Sequence, residues 1–223
     1  MLCGLANLAH GAISTITVSA MLSPQAADFS NQPLSFQQFD PGLGKLQSVR
    51  VIVRSTIQLS QQFENTSDQD QAIHSRQTLD LVLDLPDGTT PAVKDRQVVA
   101  RTYSADAFDG DIDFDGTSGS TTDYEITSSN QKLLKSRAKV AMFTGSGLAN
   151  LFLSADGTFT ASNKQNQLVA QAQALAGVEV QIIYNYIAVV PEPVAYGLAA
   201  GVLAFFPIIG LRLRKSGRGW IRQ

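Results

Sequence analysis

Residues 49–59, Val-Arg-Val-Ile-Val-Arg-Ser-Thr-Ile-Gln-Leu, set Val49, Val51, Val53, Ile57 and Leu59 on one parity and Arg50, Arg54, Thr56 and Gln58 on the other. Successive side chains of a β-strand point to opposite faces, so this stretch reads as a strand with one buried and one solvated face. Residues 73–85 repeat the pattern, with Ile73, Leu79, Leu81, Leu83 and Leu85 alternating against His74, Arg76, Thr78, Asp80 and Asp84. The two runs are expected to pair, joined through the polar loop Asn65 to Gln71. Pro86-Asp87-Gly88 supplies turn chemistry after the second run, with Gly88 free to take a positive φ.

Working outward, further strands are expected at Ile13 to Met21, Leu34 to Phe39, Arg96 to Phe108, Tyr124 to Ser129, Leu134 to Phe143, Leu148 to Ala155 and Thr158 to Ser162, with two more between Gln167 and Val189. Asp156-Gly157 reads as a hairpin turn between two of them. Leu168 to Ala176 is rich in Ala and Gln and would tolerate a helix. Many short strands punctuated by Gly, Asp, Asn and Ser, without a long amphipathic helix, point to an all-β fold: an antiparallel β-sandwich, jelly-roll or Ig-like.

The 223 residues carry 17 basic and 19 acidic side chains, a formal net charge of −2. All 19 acids lie at or before Glu192, and only 12 of the bases do, so the body of the chain has a net charge of −7. An acidic surface opposes nonspecific nucleic-acid binding, and nucleic acid is excluded as a partner. Cys3 is the sole cysteine, so the body has no disulfide and depends on a packed core.

The last residues differ in kind. Pro191-Glu192-Pro193 is followed by an uncharged run from Val194 to Leu211 and then by Arg212, Arg214, Lys215, Arg218 and Arg222. As a helix that run would measure roughly 27 Å, close to the hydrocarbon core of a bilayer, and it lacks the polar stripe of an ordinary buried helix. A single C-terminal transmembrane helix is therefore expected over 194–211. The basic residues after it would hold that end in the cytoplasm, leaving the body outside. The prolines before it favour an extended, accessible stretch.

The order of Pro191, Glu192 and Pro193 as motif, 194–211 as span and Arg212, Arg214 and Lys215 as basic stop resembles a PEP-CTERM sorting signal. The resemblance implies export in a Gram-negative bacterium, an exosortase that recognises the motif and removes the tail, and passage of the product to the surface or matrix. Pro207 within the span and the continuation to Trp220 and Gln223 depart slightly from that pattern.

At the other end, residues 1–12 contain no Lys, Arg, Asp or Glu and carry Leu2, Leu5 and Leu8 before the small residues of Ala9-His10-Gly11-Ala12. The basic n-region of a secretory signal is missing, so they are read as a truncated signal peptide, preferred over an early start of the first strand because the C-terminal span with its basic tail otherwise lacks an export route.

The body, residues 13–189, resembles the choice-of-anchor E domain. The resemblance is carried by Ser35-Phe36-Gln37-Gln38-Phe39-Asp40-Pro41-Gly42-Leu43-Gly44-Lys45-Leu46 and by Phe63-Glu64-Asn65-Thr66-Ser67. It is carried also by Phe108-Asp109-Gly110-Asp111-Ile112-Asp113-Phe114-Asp115-Gly116 and Phe143-Thr144-Gly145-Ser146-Gly147. It implies export and surface display, and brings no established biochemical activity. Lys132, Lys135, Arg137 and Lys139 make one segment unusually basic.

Candidate chemistry in the body is sparse. Asp111-Ile112-Asp113-Phe114-Asp115-Gly116 imitates the first half of an EF-hand loop, and Asp109, Asp111, Asp113 and Asp115 are weak calcium candidates, since position 12 of that loop is Thr122 rather than a bidentate Glu. The simpler expectation is an edge strand with acids on its solvent face and Gly110 and Gly116 as turns. His74 lies on a polar strand face beside Arg76, without the partners a triad or a zinc site requires. Asp80, Asp84, Glu64 and Glu125 could meet as a glycoside-hydrolysing pair, but aromatic residues for sugar stacking are few; Phe36, Phe39, Phe108, Phe143, Phe152 and Phe159 read as core.

The expectation is an exported, noncatalytic surface or extracellular-matrix protein. It would be held in the inner membrane as a precursor, cleaved by an exosortase-type enzyme within 190–223, and retained near exopolysaccharide or biofilm. The alternative is a secreted carbohydrate-active enzyme, or a calcium-dependent carbohydrate-binding protein, with the same tail. The working surface is expected on polar strand faces and on the loops Asn65 to Gln71 and Asp106 to Gly119.

Overall fold

The structure, a computed structural model, describes residues 12–189. The expected signal over 1–12, apart from Ala12, and the whole segment 190–223, with Pro191, Glu192, Pro193, the 194–211 run, Arg212, Arg214 and Lys215, lie outside the described residues. Among the described residues no helix is long and apolar enough to cross a membrane.

Eight strands form the body: β1 (Ile13–Ala26), β2 (Phe29–Gln37), β3 (Gly44–Asn65), β4 (Gln71–Asp84), β5 (Pro91–Ala105), β6 (Gly119–Leu134), β7 (Leu148–Ser162) and β8 (Leu168–Ala188). They make two four-stranded sheets, β1-β8-β3-β6 and β2-β7-β4-β5, and every pairing between strands is antiparallel. The pairs nest, β1 with β8, β2 with β7, β3 with β6 and β4 with β5, as in one long ribbon rolled over on itself. The two inner faces enclose the core.

The alternation in 49–59 and 73–85 holds at atomic level. Val49, Val51, Ile57, Leu59, Ile73, Leu79, Leu81, Leu83 and Leu85 are all buried. The expected pairing of the two runs does not hold, because β3 lies in one sheet and β4 in the other. Period-two alternation fixes which face of a strand is buried but says nothing of its neighbour, and here both runs bury their apolar faces against each other's sheet. Thr78, expected outward, is buried as well.

Other boundaries also shift. The expected strand 134–143 ends at Leu134, and α1 (Arg137–Ala141) follows; Arg, Ala and Lys are good helix formers, and Ser136 stands at its N-cap. Asp156-Gly157 is no turn. Gly157 is not among the positive-φ glycines, and β7 runs straight through it, with Asp156 opposite Asp80 and Gly157 opposite Leu79. The two strands expected after Gln167 are one, β8, and its Ala- and Gln-rich start is extended because its backbone pairs with β3 from Asn65 to Ser60. The Asp109 to Asp115 stretch is a loop rather than an edge strand, although Gly110 and Gly116 do turn it at φ 111° and 71°.

Gly88 takes its expected positive φ, 68°, in the β4–β5 turn. There Asp87 accepts from the Thr90 hydroxyl (2.5 Å) and from the backbone amides of Thr90 and Thr89 (2.9 and 3.1 Å). These donors, the Thr90 hydroxyl first, hold the Asp87 carboxyl below its ordinary value. A lowered folded pKa means that this contribution is present above the ordinary aspartate range and is lost as pH falls through the lowered value.

One end of the core is aromatic. Phe39 packs against Tyr184 and Tyr186 (centroids 5.8 and 5.0 Å), and Phe36 against Phe143 (5.3 Å). The Tyr184 hydroxyl donates to the Gln37 carbonyl at 2.8 Å, and burial pushes its pKa well up, so it stays protonated and keeps donating.

Candidate functional site

Three polar regions stand out. The first is the end of the sandwich at which β3 finishes. Asn65 is fully buried there, and its amide donates to the carbonyls of Gln69 (2.9 Å) and Asp106 (2.7 Å). Its side-chain oxygen accepts from the Ser67 amide (3.2 Å) and from Asn163 Nδ2 (3.4 Å). One side chain thus ties the loops 66–70, 106–118 and 163–167 together, and the Asp70 carboxylate adds a bond to the Ala107 amide at 3.0 Å. The two loops expected to form a working surface do converge.

The acids of that surface are less organised than an ion cage. Asp109 Oδ1 accepts from the Asp111 amide (3.2 Å), Asp113 Oδ1 from the Asp115 amide (3.0 Å) and Asp115 Oδ1 from the Gly116 amide (2.8 Å). Their carboxylates thus cap local turns, and among the described residues no group of three or more His, Cys, Asp or Glu is placed to hold a metal ion. Beneath them Glu64 is fully buried, with Oε2 accepting from the Phe114 amide at 3.0 Å. Among the described residues, Glu64 Oε1 and Ser118 Oγ are buried without a protein partner. Gly119 is needed beside Glu64, because a Cβ there would collide with Glu64 Oε2 and with the Asp115 backbone.

The second region is the outer face of the β1-β8-β3-β6 sheet. Register places Thr121, Gln62 and Gln171 in one row, Asp123, Ser60 and Gln173 in the next, and Glu125, Gln58 and Leu175 in a third. Gln171 Nε2 donates to Gln62 Oε1 (2.5 Å), Gln62 Nε2 to Thr121 Oγ1 (3.1 Å) and Gln58 Nε2 to Glu125 Oε2 (3.4 Å). The lower rows border a shallow recess of about 530 Å³. Asp123 and Glu125 are two residues apart on one exposed face, roughly 7 Å by strand rise. Amides, hydroxyls and carboxylates in ordered rows suit a hydroxyl-rich ligand. The recess is open to water, which weakens every electrostatic contact within it.

The third region joins the two sheets where their edge strands β5 and β6 face one another. Asp95 Oδ2 accepts from Ser55 Oγ (2.8 Å) and from Ser128 Oγ, and Asp95 Oδ1 accepts from Gln97 Nε2 (2.8 Å). Further along, the Tyr103 and Tyr124 hydroxyls share a hydrogen bond (2.7 Å), and the Arg101 guanidinium lies over the Tyr124 ring, 5.7 Å from its centre. Burial, then the bond to Tyr103, raises the Tyr124 pKa. Asp95 thus gathers donors from β3, β5 and β6 at a partly buried point, a polar tie between the two sheets. This network was not read from the sequence. Its signal was there: Ser55 and Gln61, which accepts from the Tyr103 hydroxyl at 3.4 Å, are polar residues at buried positions of β3.

The remaining candidates stay apart. Asp80 pairs with Arg96 at 3.5 Å on an exposed part of the β4–β5 ladder, with Asp84 further along β4 in the same sheet. Glu125 is in the other sheet and Glu64 is buried at the Asn65 end, so the four carboxylates do not form one pair. His74 is exposed, and its Nδ1 meets Thr102 Oγ1 at 3.0 Å across the ladder.

No protein-family model matches the chain, and no curated protein does. Among solved structures, the T13 viral particle of IBDV covers 92% of this chain and 50% of its own at 10% identity, with a TM-score of 0.18. The Gt strain of infectious bursal disease virus follows at 10% identity and a TM-score of 0.15, over 92% of this chain and 52% of its own. The chain thus spans about half the length of the structures it matches, and at these TM-scores the likeness carries no argument.

Proposed function

We propose that this protein is an exported, noncatalytic surface or matrix component of a Gram-negative envelope, addressed by its C-terminal segment. The observation that carries the reading is the order of Pro191-Glu192-Pro193, an uncharged run over 194–211 and the bases Arg212, Arg214 and Lys215. In this reading 194–211 spans the inner membrane, an exosortase-type enzyme cuts near the motif, and the acidic sandwich is released towards exopolysaccharide. The choice-of-anchor E resemblance supports display over catalysis, and the nested strand order supports the jelly-roll variant of the sandwich over the Ig-like one. Wide separation of Asp80, Asp84, Glu64 and Glu125 supports the noncatalytic reading.

A second reading, direct carbohydrate binding or cleavage, is favoured by one feature, the rows of amides and acids around Asp123 and Glu125. Replacing Pro191, Glu192 and Pro193 together by alanine tests the first reading. The variant is expected to accumulate at precursor mass in the inner membrane of an exosortase-bearing host. Normal maturation of the variant would remove the motif from the account.

A further inference from the structure

The charges of the sandwich are segregated along its length. No Asp or Glu occurs between Glu125 and Asp156, a stretch that contains Lys132, Lys135, Arg137 and Lys139. Lys132 lies near the end of β6, Lys135 in the connection after it, and Arg137 and Lys139 on α1, and Leu134 pairs with Val49 near the start of β3. Lys45 and Arg50 belong to the same end, and neither they nor the four have a carboxylate within ion-pair distance among the described residues. The Asp106 to Asp115 acids cluster towards the opposite end: Lys132 lies opposite Val51 and Gly119 opposite Glu64, 13 residues of β3 apart, roughly 43 Å. Asp40 is the acid beside the basic end in sequence, and its Oδ1 is engaged by the Gly42 amide (2.8 Å); Asp84 and Asp87 belong to the other sheet.

Apolar side chains accompany the bases. Leu133, 42% exposed, lies opposite Arg50, and Leu43, 45% exposed, is followed after Gly44 by Lys45, which lies opposite the exposed Ile187. Both chain ends of the sandwich are here as well: Ile13 pairs with Ile187, and the Ala188 amide meets the Ala12 carbonyl at 3.4 Å. The chain therefore leaves for residues 190–223 from its basic, partly apolar end.

We propose that this end, centred on Lys132, Lys135, Arg137 and Lys139, seats the precursor on an anionic lipid surface while the C-terminal segment holds it to the membrane. The proposal rests on the sorting reading above. Each Lys or Arg brought near an anionic leaflet contributes roughly five-fold to association, and exposed Leu side chains add burial at the headgroup boundary. Tethering favours lipid over a soluble polyanion as the occupant, because it fixes a high local concentration of headgroups beside the patch. The acid-rich end then lies on the far side of the sandwich from the membrane and is offered to the outside.

The test uses the full chain with Cys3→Ser, reconstituted in nanodiscs that contain a headgroup-nitroxide lipid. A fluorophore is placed at Ser136→Cys, whose side chain makes no cap hydrogen bond, at Thr117→Cys on the acidic end, or at Gly201→Cys in the tail. With phosphatidylglycerol, quenching at 136 is expected to exceed that at 117 by about three-fold or more. It should fall to the 117 level with phosphatidylcholine, in ~1 M salt where the Debye length is about 3 Å, or when the four bases become Gln. Quenching at 136 that ignores lipid charge and salt would overturn the proposal, as would a response to added polyuronate but not to lipid. A tail label at 201 that an acyl-chain nitroxide fails to quench would instead remove the membrane span, and with it the sorting reading on which the docking rests.

Discussion

Replacing Asn65 by alanine is expected to lower the stability of the sandwich by about 3–5 kcal/mol, because several buried groups lose their partners at once. The Asn65 amide holds the carbonyls of Gln69 and Asp106, and its oxygen holds the Ser67 amide and the Asn163 side chain. Each desolvated group left without a partner costs about 1–3 kcal/mol, although relaxation of the loops and entry of water recover part of the sum. Asn65→Asp should be comparably harmful: it keeps the shape but replaces the donor to two carbonyls by a second acceptor and buries a charge. Gln47→Ala, whose amide bonds only to the nearby Lys45 carbonyl on an exposed surface, should stay within about 0.5 kcal/mol. Urea unfolding followed by circular dichroism reads the shift in midpoint. A cost below about 1 kcal/mol for Asn65→Ala would mean that the three loops are held by something else.

Phe39→Ala is the second large effect, expected at about 3–5 kcal/mol and a fall in Tm of roughly 6–20 °C. Phe39 is 2% exposed, fills the space between Tyr184 and Tyr186, and through its backbone bonds the Phe143 carbonyl and the Gly145 amide, both at 2.9 Å. Truncation leaves a cavity among rings that cannot collapse into it, since Tyr184 is pinned to the Gln37 carbonyl. Phe39→Leu retains most of the volume and should cost about 1–2 kcal/mol. Equal melting of the Ala variant and the parent would show that Phe39 packs no core.

These two residues show what could be read from the chain beforehand. Phe39 was legible as core because it closes an apolar strand pattern, and the faces of residues 49–59 and 73–85 were legible from parity alone. Their partners were not, because two strands with the same alternation satisfy it equally well within a sheet or across the core. Asp156-Gly157 misled for a related reason: the dipeptide permits a turn, while the ladder to Leu79 and Asp80 keeps it extended. Asn65 could be assigned to a loop from its neighbours, yet nothing local reveals that one amide gathers three loops from distant parts of the chain. The candidate site divides the same way. Asn65 to Gln71 and Asp106 to Gly119 were legible as polar loops but not as neighbours, and the amide rows on β3, β6 and β8 and the Asp95 network likewise depend on register that composition does not encode. The Asp loop shows the opposite failing, in which a suggestive spacing of acids is spent on capping its own turns.

The most direct measurement is the intact mass and cell fraction of the internally tagged full chain, expressed in one host with an exosortase and one without. The account predicts loss of the segment after Pro191-Glu192-Pro193 only where the enzyme is present, with the shortened product in the envelope or matrix. An uncut chain held in the inner membrane of both hosts would contradict it and make residues 194–211 a permanent anchor.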